Sequence, residues 1–487
     1  MSNEAKVSSV KLNFVMNFIL TLSGIIFPLI TFPYASRILL PVGTGKVAFV
    51  TSVVSYFTMI GMLGIPTYGI RACAKVRDDK EKLSKTVQEL MIINFIMMTV
   101  ALFFYILAFN FVPRFAEDKG LFMLNIAVLV LNLIGCDWLY KGLEQYQYIT
   151  KRSVLFKVIA VILMFLFVKE QGDYIAYAII TILASVGSYI FNFVNLRTLI
   201  KVQPYDNLDI KQHIRPTLTF FMMTVATTIY TSLDSVMLGF MLGDESVGYY
   251  NAAINIKNVL VSLVTSLGVV LLPRLSVYIQ QQKQEEFKAL TSKALTFVIF
   301  SSLPLTIFFI YFADWAVYFL SGMSYTGAIV PMQIVMPTLL FIGLSNLFGI
   351  QMLVPMNKET VVVKSVFIGA VVNLVLNSIF IPILGVAGAA LGTLVAEFFV
   401  TSYQAFVLRA ILKEINRQIE LYKFLLAAIV AIVPVILLAN FYSNNSYFIN
   451  LAISATIYGS IYCLLLLLLR ESNSLNILKS LQNRRGN

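Results

Sequence analysis

Charged residues are scarce in this sequence. Only 12% of the 487 residues are Asp, Glu, Lys or Arg, whereas ordinary soluble domains carry about 25%. Apolar residues make up 59% of the chain, and the mean hydropathy is +0.84. The apolar runs recur from end to end, and many approach the ~20 residues that cross a ~30 Å hydrocarbon core. The scarcity of charge argues against a string of soluble domains and predicts an all-α polytopic membrane protein.

Cysteine and histidine, which build disulfide frameworks and most metal sites, are almost absent. The three cysteines, Cys73, Cys136 and Cys463, are far apart and odd in number, which argues against a disulfide framework and a metal cluster. The single histidine, His213, has no Cys or His near it in the sequence. We interpret it as an isolated surface histidine in a polar connection. The sequence therefore predicts no metal site.

The connections between apolar runs are too short to form a soluble catalytic domain. The stretch GTGK at residues 43–46 resembles a phosphate-binding loop. A Walker A loop needs Gly at position 40 and Ser or Thr at position 47, but Leu40 and Val47 stand there. No other segment offers a nucleotide site. The sequence predicts a protein without cofactor that is not an enzyme.

About fourteen apolar runs have the length and composition of membrane spans. Their approximate limits are 12–34, 46–66, 86–112, 120–140, 153–168, 174–195, 216–240, 247–272, 289–313, 327–352, 361–381, 384–408, 421–441 and 447–469.

The net charge of +12 could indicate a nucleic-acid partner. The Lys and Arg residues, however, fall mainly in every second connection, as in 71–85, 197–215 and 409–417. Cytoplasmic loops of membrane proteins carry this excess of Lys and Arg. The pattern therefore predicts an even number of spans, both termini in the cytoplasm and no nucleic-acid partner.

An internal repeat relates the two halves of the chain. Aligning Gly45 with Gly248 also pairs Ser52 with Asn255, within the same layout of long span, glycine-containing turn and polar-striped span. Both copies follow an even number of spans, so the repeat predicts two parallel six-helix bundles around a central cavity. The predicted divisions are 1–206 for the first bundle, 207–415 for the second, and 416–487 for two added helices and a cytoplasmic tail.

Polar side chains recur at helical spacing within several predicted spans. Asn251 and Asn255 belong to such a stripe in the eighth span, and Asn373 and Asn377 lie one turn apart in the eleventh. Amide groups that face lipid would be costly, so these stripes face protein or water. We expect them to line a polar cavity and bind substrate. The alternative is that they form hydrogen bonds between packed helices.

Few ionisable residues fall inside the predicted spans. A charge at the centre of a span costs ~2.5–3.5 kcal/mol on insertion scales, so it must face inward or have a partner. We predict that Asp234 and Glu397 couple transport to an ion, or else pair with a nearby cation. We predict that Asp137 and Lys257 bind substrate. Arg37, Arg71, Lys141 and Lys364 lie near span ends, where snorkelling to the headgroups is the alternative for the long side chains.

Several motifs resemble the Wzx-type polysaccharide repeat-unit flippases of the multidrug/oligosaccharidyl-lipid/polysaccharide exporter superfamily. The matching segments are FPLITFPYASRILLPVGTG, LGIPTYGIRACAKVRDDKEKLSK, CDWLYKGLEQYQYI, LDSVMLG and LGDESVGYYN, and GIQMLVPMNKETVVVKSVFIGAVVNLVLN. The resemblance runs from about residue 11 to 470. It implies two six-helix bundles around a central cavity, with two extra helices in many members.

The resemblance also implies a function. Such proteins move undecaprenyl-pyrophosphate-linked oligosaccharides from the cytoplasmic to the outer leaflet of the bacterial cytoplasmic membrane by alternating access. Polysaccharide polymerases and glycosyltransferases are the implied partners, beside the lipid-linked substrate and membrane lipids. The family motifs place Arg37 and Arg71 among the substrate or gating positions. One departure is Leu40-Pro41-Val42, where relatives often have Gly-Pro-Glu.

Two alternatives within the same superfamily stay open. A lipid II flippase would share the general chemistry, and the sequence separates it poorly. A cation-coupled multidrug antiporter would need carboxylates deep in the first bundle. Predicted spans 1, 2, 5 and 6 contain none. A membrane glycosyltransferase or polymerase would need clustered carboxylates or a large outward loop, and the sequence offers neither.

Overall fold

The computed structural model describes residues 10–201, 207–416, 420–442 and 446–469, and within these ranges the regular structure is helical. Helices α1 to α10 are, in order, Val10–Met62, Ile65–Val76, Lys80–Phe111, Pro113–Glu117, Lys119–Gly135, Asp137–Gly142, Tyr146–Phe167, Tyr174–Ile182, Tyr189–Leu199 and Lys211–Met241. Helices α11 to α21 are Asp244–Thr265, Gly268–Gln280, Gln284–Tyr311, Ala313–Ser321, Ile329–Val335, Thr338–Ser345, Glu359–Leu384, Val386–Val407, Arg409–Asn416, Leu421–Tyr442 and Tyr447–Leu468. Short 3₁₀ and π-helical segments lie at Gln171–Asp173, Leu183–Gly187, Met323–Ala328 and Asn346–Leu353.

The chain divides into two compact units between Gly248 and Tyr249. The first unit holds α1 to α10 and the first turn of α11. The second holds the rest of α11 and the helices that follow. The sequence-based boundaries at 206/207 and 415/416 stay predictions, as does the arrangement of two bundles around a central cavity.

Ten helical segments of the described residues are long and apolar enough to cross a membrane, or eleven if the bent pair Met323–Val335 and Thr338–Leu353 forms one span. The predicted all-α membrane fold is confirmed, whereas the count of fourteen stays a prediction. The two counts differ partly because the first two predicted spans fall within a single helical segment, Leu12–Val76, which is counted once. Its 65 residues would extend about 100 Å as a straight helix, more than one crossing requires. Helix α7, which carries three cations, is not among the ten.

Helix α1 is interrupted at Leu40, whose backbone has φ 57° and ψ 179°. Positive φ is strained for a leucine. The next residue, Pro41, lacks the N–H that would continue the helical hydrogen bonds. The sequence predicted a glycine-containing turn in this region. That prediction is wrong, because residues 41–62, which include GTGK, are helical and the non-helical dihedrals of α1 are at Leu40.

Large apolar side chains cover much of the outer surface. Phe111 is 76% exposed, and Ile383 and Leu468 are each 70% exposed. In water such a surface would drive aggregation, whereas lipid tails solvate it. The interior combines small and large apolar side chains, as in the buried cluster that joins Ala35 on α1 and Ala160 on α7 with leucine and methionine side chains. The exposed large apolar side chains therefore suit a surface that faces lipid.

Candidate functional site

The first unit encloses a cavity of about 590 Å³. Helices α1, α2, α5, α6, α8, α9 and α10 form its wall, together with the π-helical segment Leu183–Gly187. Its polar lining side chains are Thr51, Ser55, Thr58, Asn125, Asn132, Asp137, Lys141, Thr181, Ser185, Tyr189, Thr224 and Thr228. Hydroxyl and amide groups dominate this set, so the cavity presents donors and acceptors in an otherwise apolar protein.

Several of these polar groups are bonded to their own helices. Asn132 donates to the carbonyl of Val128 at 2.9 Å, and Thr224 donates to that of Phe220 at 3.0 Å. Such bonds satisfy each donor without a second helix. They leave the oxygen lone pairs, and one amide hydrogen of Asn132, for a molecule in the cavity.

Asp137 is the acidic side chain of the cavity wall, and an ion pair balances its charge. Arg152 on α7 lies 2.7 Å from Asp137 Oδ1, and Asn192 on α9 donates to the same oxygen at 2.7 Å. Arg152 also donates to the carbonyl of Ser188 at 3.0 Å. Its side chain is 6% exposed, against 25% for that of Asp137. The sequence placed Asp137 at the substrate site, and the structure joins it to a buried arginine that we had not singled out.

Lys141 lies one turn beyond Asp137 on α6 and lines the same cavity. Among the described residues, no carboxylate lies within 4.0 Å of its ammonium group. Arg152 neutralises the negative charge of Asp137. The positive charge of Lys141 is therefore the one that remains on the cavity wall. The cavity is therefore electropositive, which suits an anionic group.

A second cation, Lys157 on α7, lies inside the predicted fifth span and was missed in the sequence. Its Nζ donates to Ser23 Oγ on α1 at 2.9 Å. The part of the chain that the structure describes places no carboxylate within 4.0 Å of it. The sequence feature that could have identified it is the single lysine within the otherwise uncharged run SVLFKVIAVILMF.

Arg37 lies outside this cavity. It borders an open depression with the turn at residues 169–172, which contributes Lys169 and Glu170. The Arg37 Nη1 donates to the carbonyl of Pro33, one turn back, at 2.6 Å. The guanidinium therefore lies along its own helix, just before the interruption of α1 at Leu40.

Arg71 lies on α2, where its guanidinium is 5.0 Å from the ring centre of Phe220 on α10. Tyr68, one turn earlier on α2, stacks on the same ring at 6.2 Å. Arg71 thus takes part in the contact between α2 and α10 and does not line the cavity. Its role in substrate binding stays a prediction.

Asn373 and Asn377 are buried side by side on α17 in the second unit. Asn377 donates to Asn373 Oδ1 at 3.2 Å, and Asn373 donates to Thr393 Oγ1 on α18 at 3.5 Å. Tyr250 on α11 contacts the same hydroxyl at 3.0 Å. Asn373 therefore joins α17 to α18, as in the alternative that the sequence left open, whereas this bond of Asn377 lies within α17. Substrate binding by the two amides stays a prediction.

The other candidates are distributed over three helices. Asp234 is buried on α10, Lys257 on α11 and Glu397 on α18. Asn251 and Asn255 are half-buried on α11. Their predicted roles in substrate binding and ion coupling stay predictions.

One ionic cluster was not anticipated from the sequence, and we call it the Arg114 cluster: Lys46, Arg114, Asp118 and Asp244. Lys46 Nζ lies 2.6 Å from Asp118 Oδ1, and Arg114 Nη1 lies 3.6 Å from Asp118 Oδ2. Arg114 also pairs with Asp244 and donates to the carbonyl of Gly239 at 3.1 Å. The cluster ties the Met241 end of α10 to α1 and α4. Its charges alternate in sign, so each is compensated.

His213 is not the surface residue that the sequence suggested. It is 5% exposed, and both ring nitrogens have partners. The prediction was wrong because the polar connection before α10 folds back onto α3, where Asp209 donates its N–H to Glu89 at 2.7 Å.

Known proteins of similar sequence are named as transporters. A family model described as "Polysaccharide biosynthesis protein" matches residues 10–279. The chain belongs to the polysaccharide biosynthesis protein family. It is 26% identical over 392 residues to a protein of Escherichia coli K12 named "Putative O-antigen transporter", covering 80% of this chain and 94% of the relative. A protein of the same name from Shigella dysenteriae is 24% identical over 408 residues, covering 82% and 100%.

Solved structures show the fold. The lipid II flippase MurJ in an inward closed conformation matches with a TM-score of 0.71 and 16% identity, over 94% of this chain and 99% of that one. An inward-facing multidrug MATE transporter of the MOP superfamily matches with a TM-score of 0.59 and 14% identity, over 82% and 99%. The protein described here is therefore a multi-pass membrane protein with a MurJ- and MATE-like transporter fold. The resemblance that the sequence motifs indicated is confirmed.

Proposed function

We propose that this protein is a flippase for undecaprenyl-pyrophosphate-linked oligosaccharide repeat units. It moves them from the inner to the outer leaflet of the bacterial cytoplasmic membrane by alternating access, with both termini in the cytoplasm. The names of the O-antigen transporter relatives support a polysaccharide precursor as the cargo. The likeness to a lipid II flippase and to MATE transporters supports a transporter fold.

The observation that carries the proposal is the composition of the cavity in the first unit. Its wall combines hydroxyl and amide groups with the charge of Lys141, while Arg152 neutralises Asp137. A pyrophosphate needs cationic donors, and an oligosaccharide needs groups that both donate and accept hydrogen bonds. The cavity offers both, and the lipid tail can stay in the bilayer.

The same observation disfavours a cation-coupled multidrug antiporter that uses this cavity. A cationic drug or a coupling ion needs an ionised carboxylate that is free to receive it. Asp137 already holds Arg152 at 2.7 Å. We therefore assign ion coupling, if the protein uses it, to Asp234 and Glu397 outside this cavity.

Flipping by purified protein in liposomes tests the proposal. A fluorescent undecaprenyl-pyrophosphate oligosaccharide should cross to the other leaflet, and Lys141→Ala should slow it at least tenfold by removing the charge of the cavity wall. Lys151→Ala is the matched control, because that lysine is exposed on α7 and does not line the cavity. Movement of lipid II in place of the oligosaccharide lipid would support the lipid II alternative. Parental flipping by Lys141→Ala would refute the role of the cavity.

A further inference from the structure

The only histidine of the sequence lies between three helices of the first unit. Its Nε2 is 2.8 Å from Glu89 Oε2 on α3, and its Nδ1 is 2.8 Å from the hydroxyl oxygen of Tyr68 on α2. His213 itself lies in the first turn of α10. We call these three residues the His213 cluster. It ties the Lys211 end of α10 to α2 and α3.

The Glu89 carboxylate is 1% exposed and is held by several donors. Besides the imidazole, it accepts the N–H of Asp209 at 2.7 Å and the side-chain amide of Gln212 at 3.1 Å. Lys85, one turn earlier on α3, brings its Nζ to 4.0 Å. Both carboxylate oxygens are therefore engaged by the start of α10 and the connection before it. Any separation of α10 from α3 must break these bonds together.

The contact between α2 and α10 continues beyond the histidine. The Tyr68 ring stacks on Phe220, and the Arg71 guanidinium lies over the same ring. Gly64, which directly precedes α2 and has φ 73°, lies so close to the backbone of Phe221 that a Cβ would overlap it. The backbones of the two helices thus approach closely within two turns of His213.

Each element that packs on the imidazole carries ionisable side chains close in sequence to the contact. They are Tyr68, Arg71 and Cys73 on α2, Lys85 and Glu89 on α3, Asp209 in the connection, and Lys211 and Arg215 on α10. Glu89 and Tyr68 are the ones that contact the ring. Arg71 is directed to Phe220, and Arg215 is exposed. The ring nitrogens therefore contact one carboxylate, that of Glu89, and one phenol, that of Tyr68.

We propose that the His213 cluster is a proton-binding site that holds α10 more tightly to α2 and α3 when the imidazole is charged. In the neutral ring, Nε2–H donates to Glu89 and Nδ1 accepts the Tyr68 hydroxyl hydrogen. A proton from water then adds to Nδ1 and forms the imidazolium. The bond to Glu89 is already charge-assisted through its carboxylate acceptor, and the proton on the ring turns it into an ion pair. The bond to Tyr68 reverses, since Nδ1–H now donates to the phenol oxygen.

Histidine suits this role because it is the side chain whose ordinary titration falls between pH 5 and 8. Acidification should tighten the Lys211 end of α10, and alkaline conditions should loosen it. The opposite end of α10 is held by the Arg114 cluster, whose Lys, Arg and Asp groups ordinarily keep their charges over this range. The two ends of one helix therefore differ in their response to pH. This inference concerns the protein alone and does not depend on which lipid it carries.

Because the chain has one histidine, NMR reads the site directly. The full-length protein, with a histidine-free purification tag and labelled histidine, is titrated in detergent from pH 5 to 9. The His213 Cε1–H resonance should shift through one titration step in the parent. An imidazole resonance that stays constant over this range would overturn the proposal.

A second measurement follows the position of α10. In a cysteine-free background, thiol labelling is compared at Thr217→Cys, a buried position one turn beyond His213, and at Leu218→Cys, an exposed neighbour. The ratio of the two rates cancels the pH dependence of the reagent. It should fall at least threefold from pH 8 to pH 6 in the His213 protein. In His213→Gln, which keeps a donor for Glu89 but cannot gain a charge, the ratio should stay level. A level ratio in both proteins, or the same fall in both, would refute the proposal.

Discussion

At the scale of single residues, the surroundings of a cation decide what it can bind. Arg152 and Lys141 both lie near Asp137, but Arg152 is committed to the carboxylate and Lys141 is not. Removing one member of a buried ion pair costs about 3–5 kcal/mol, because the other charge is left uncompensated. Arg152 is therefore needed for stability, whereas Lys141 is available to a ligand.

Arg37 gives a prediction at this scale. If its guanidinium meets pyrophosphate at the open depression beside Lys169, Arg37→Ala should lower export of the polysaccharide at least tenfold at normal protein abundance. Arg37→Lys should keep part of it, because an ammonium group offers a point charge in place of two parallel hydrogen bonds. Export is measured by surface polysaccharide and abundance by immunoblot. Lys119→Ala, a cation on α5 over the Phe109 ring, is the control. Parental export in Arg37→Ala would show that the residue only anchors the helix.

The sequence showed which residues carry unusual charges, but it did not show which residues contact them in the fold. It indicated that Asp137 is an unusual charge within a membrane span, but it did not indicate its partner Arg152. The two residues are fifteen positions apart in the sequence and meet only after the chain turns between α6 and α7. It assigned His213 to the surface since its flanks are polar. Glu89, which buries it, is distant in the sequence and adjacent only after α3 and α10 pack. Lys157 was missed because one lysine scarcely lowers the hydropathy of a 22-residue helix.

At the scale of elements, α10 is joined to the helices before it at both ends. The His213 cluster holds its first turn, and the Arg114 cluster holds its last. Near that last turn, helix α1 and the start of α11 pack through glycines. A Cβ on Gly45 would overlap the carbonyl of Asp244, and one on Gly248 would overlap the carbonyl of Pro41. We call this the Gly45–Gly248 contact.

Alanine at either glycine should therefore destabilise the protein. The obstructing atoms belong to backbone, so the helices must move apart, and overpacking of this kind costs about 1–3 kcal/mol. Thermal unfolding in detergent should show a lower midpoint for Gly45→Ala and for Gly248→Ala. The double substitution should cost less than the two singles together, because both separate the same pair of helices.

Gly459→Ala is the control for this series. Gly459 lies within α21, and a Cβ there would meet no atom within 4 Å. Alanine favours the helix by about 1 kcal/mol over glycine, so the midpoint should stay level or rise. Equal effects at Gly459 and Gly45 would show that helix propensity, and not the close contact, determines the result.

At the scale of the whole molecule, the alternation of basic connections predicts the orientation in the membrane. Asn207, in the connection before α10, should lie in the cytoplasm. In a cysteine-free background, Asn207→Cys should resist an impermeant thiol reagent in intact cells, whereas Gly172→Cys, in the exposed turn after α7, should react. Positions Ser2 and Ser474 lie outside the described residues and should also resist. Labelling of Asn207→Cys from outside would contradict the orientation with both termini in the cytoplasm.

The Gly45–Gly248 contact has a consequence for the origin of the chain. In the register that aligns Gly45 with Gly248, Pro41 aligns with Asp244, so the glycine of each copy packs on the corresponding carbonyl of the other. A two-fold symmetric dimer makes contacts of this isologous kind. If the predicted repeat arose by duplication, an ancestor of half the length would have made this contact with a second copy of itself, and one mutation would have altered both sides at once. In the present chain the two sides differ, since Asp244 has an arginine partner and Pro41 follows the break at Leu40.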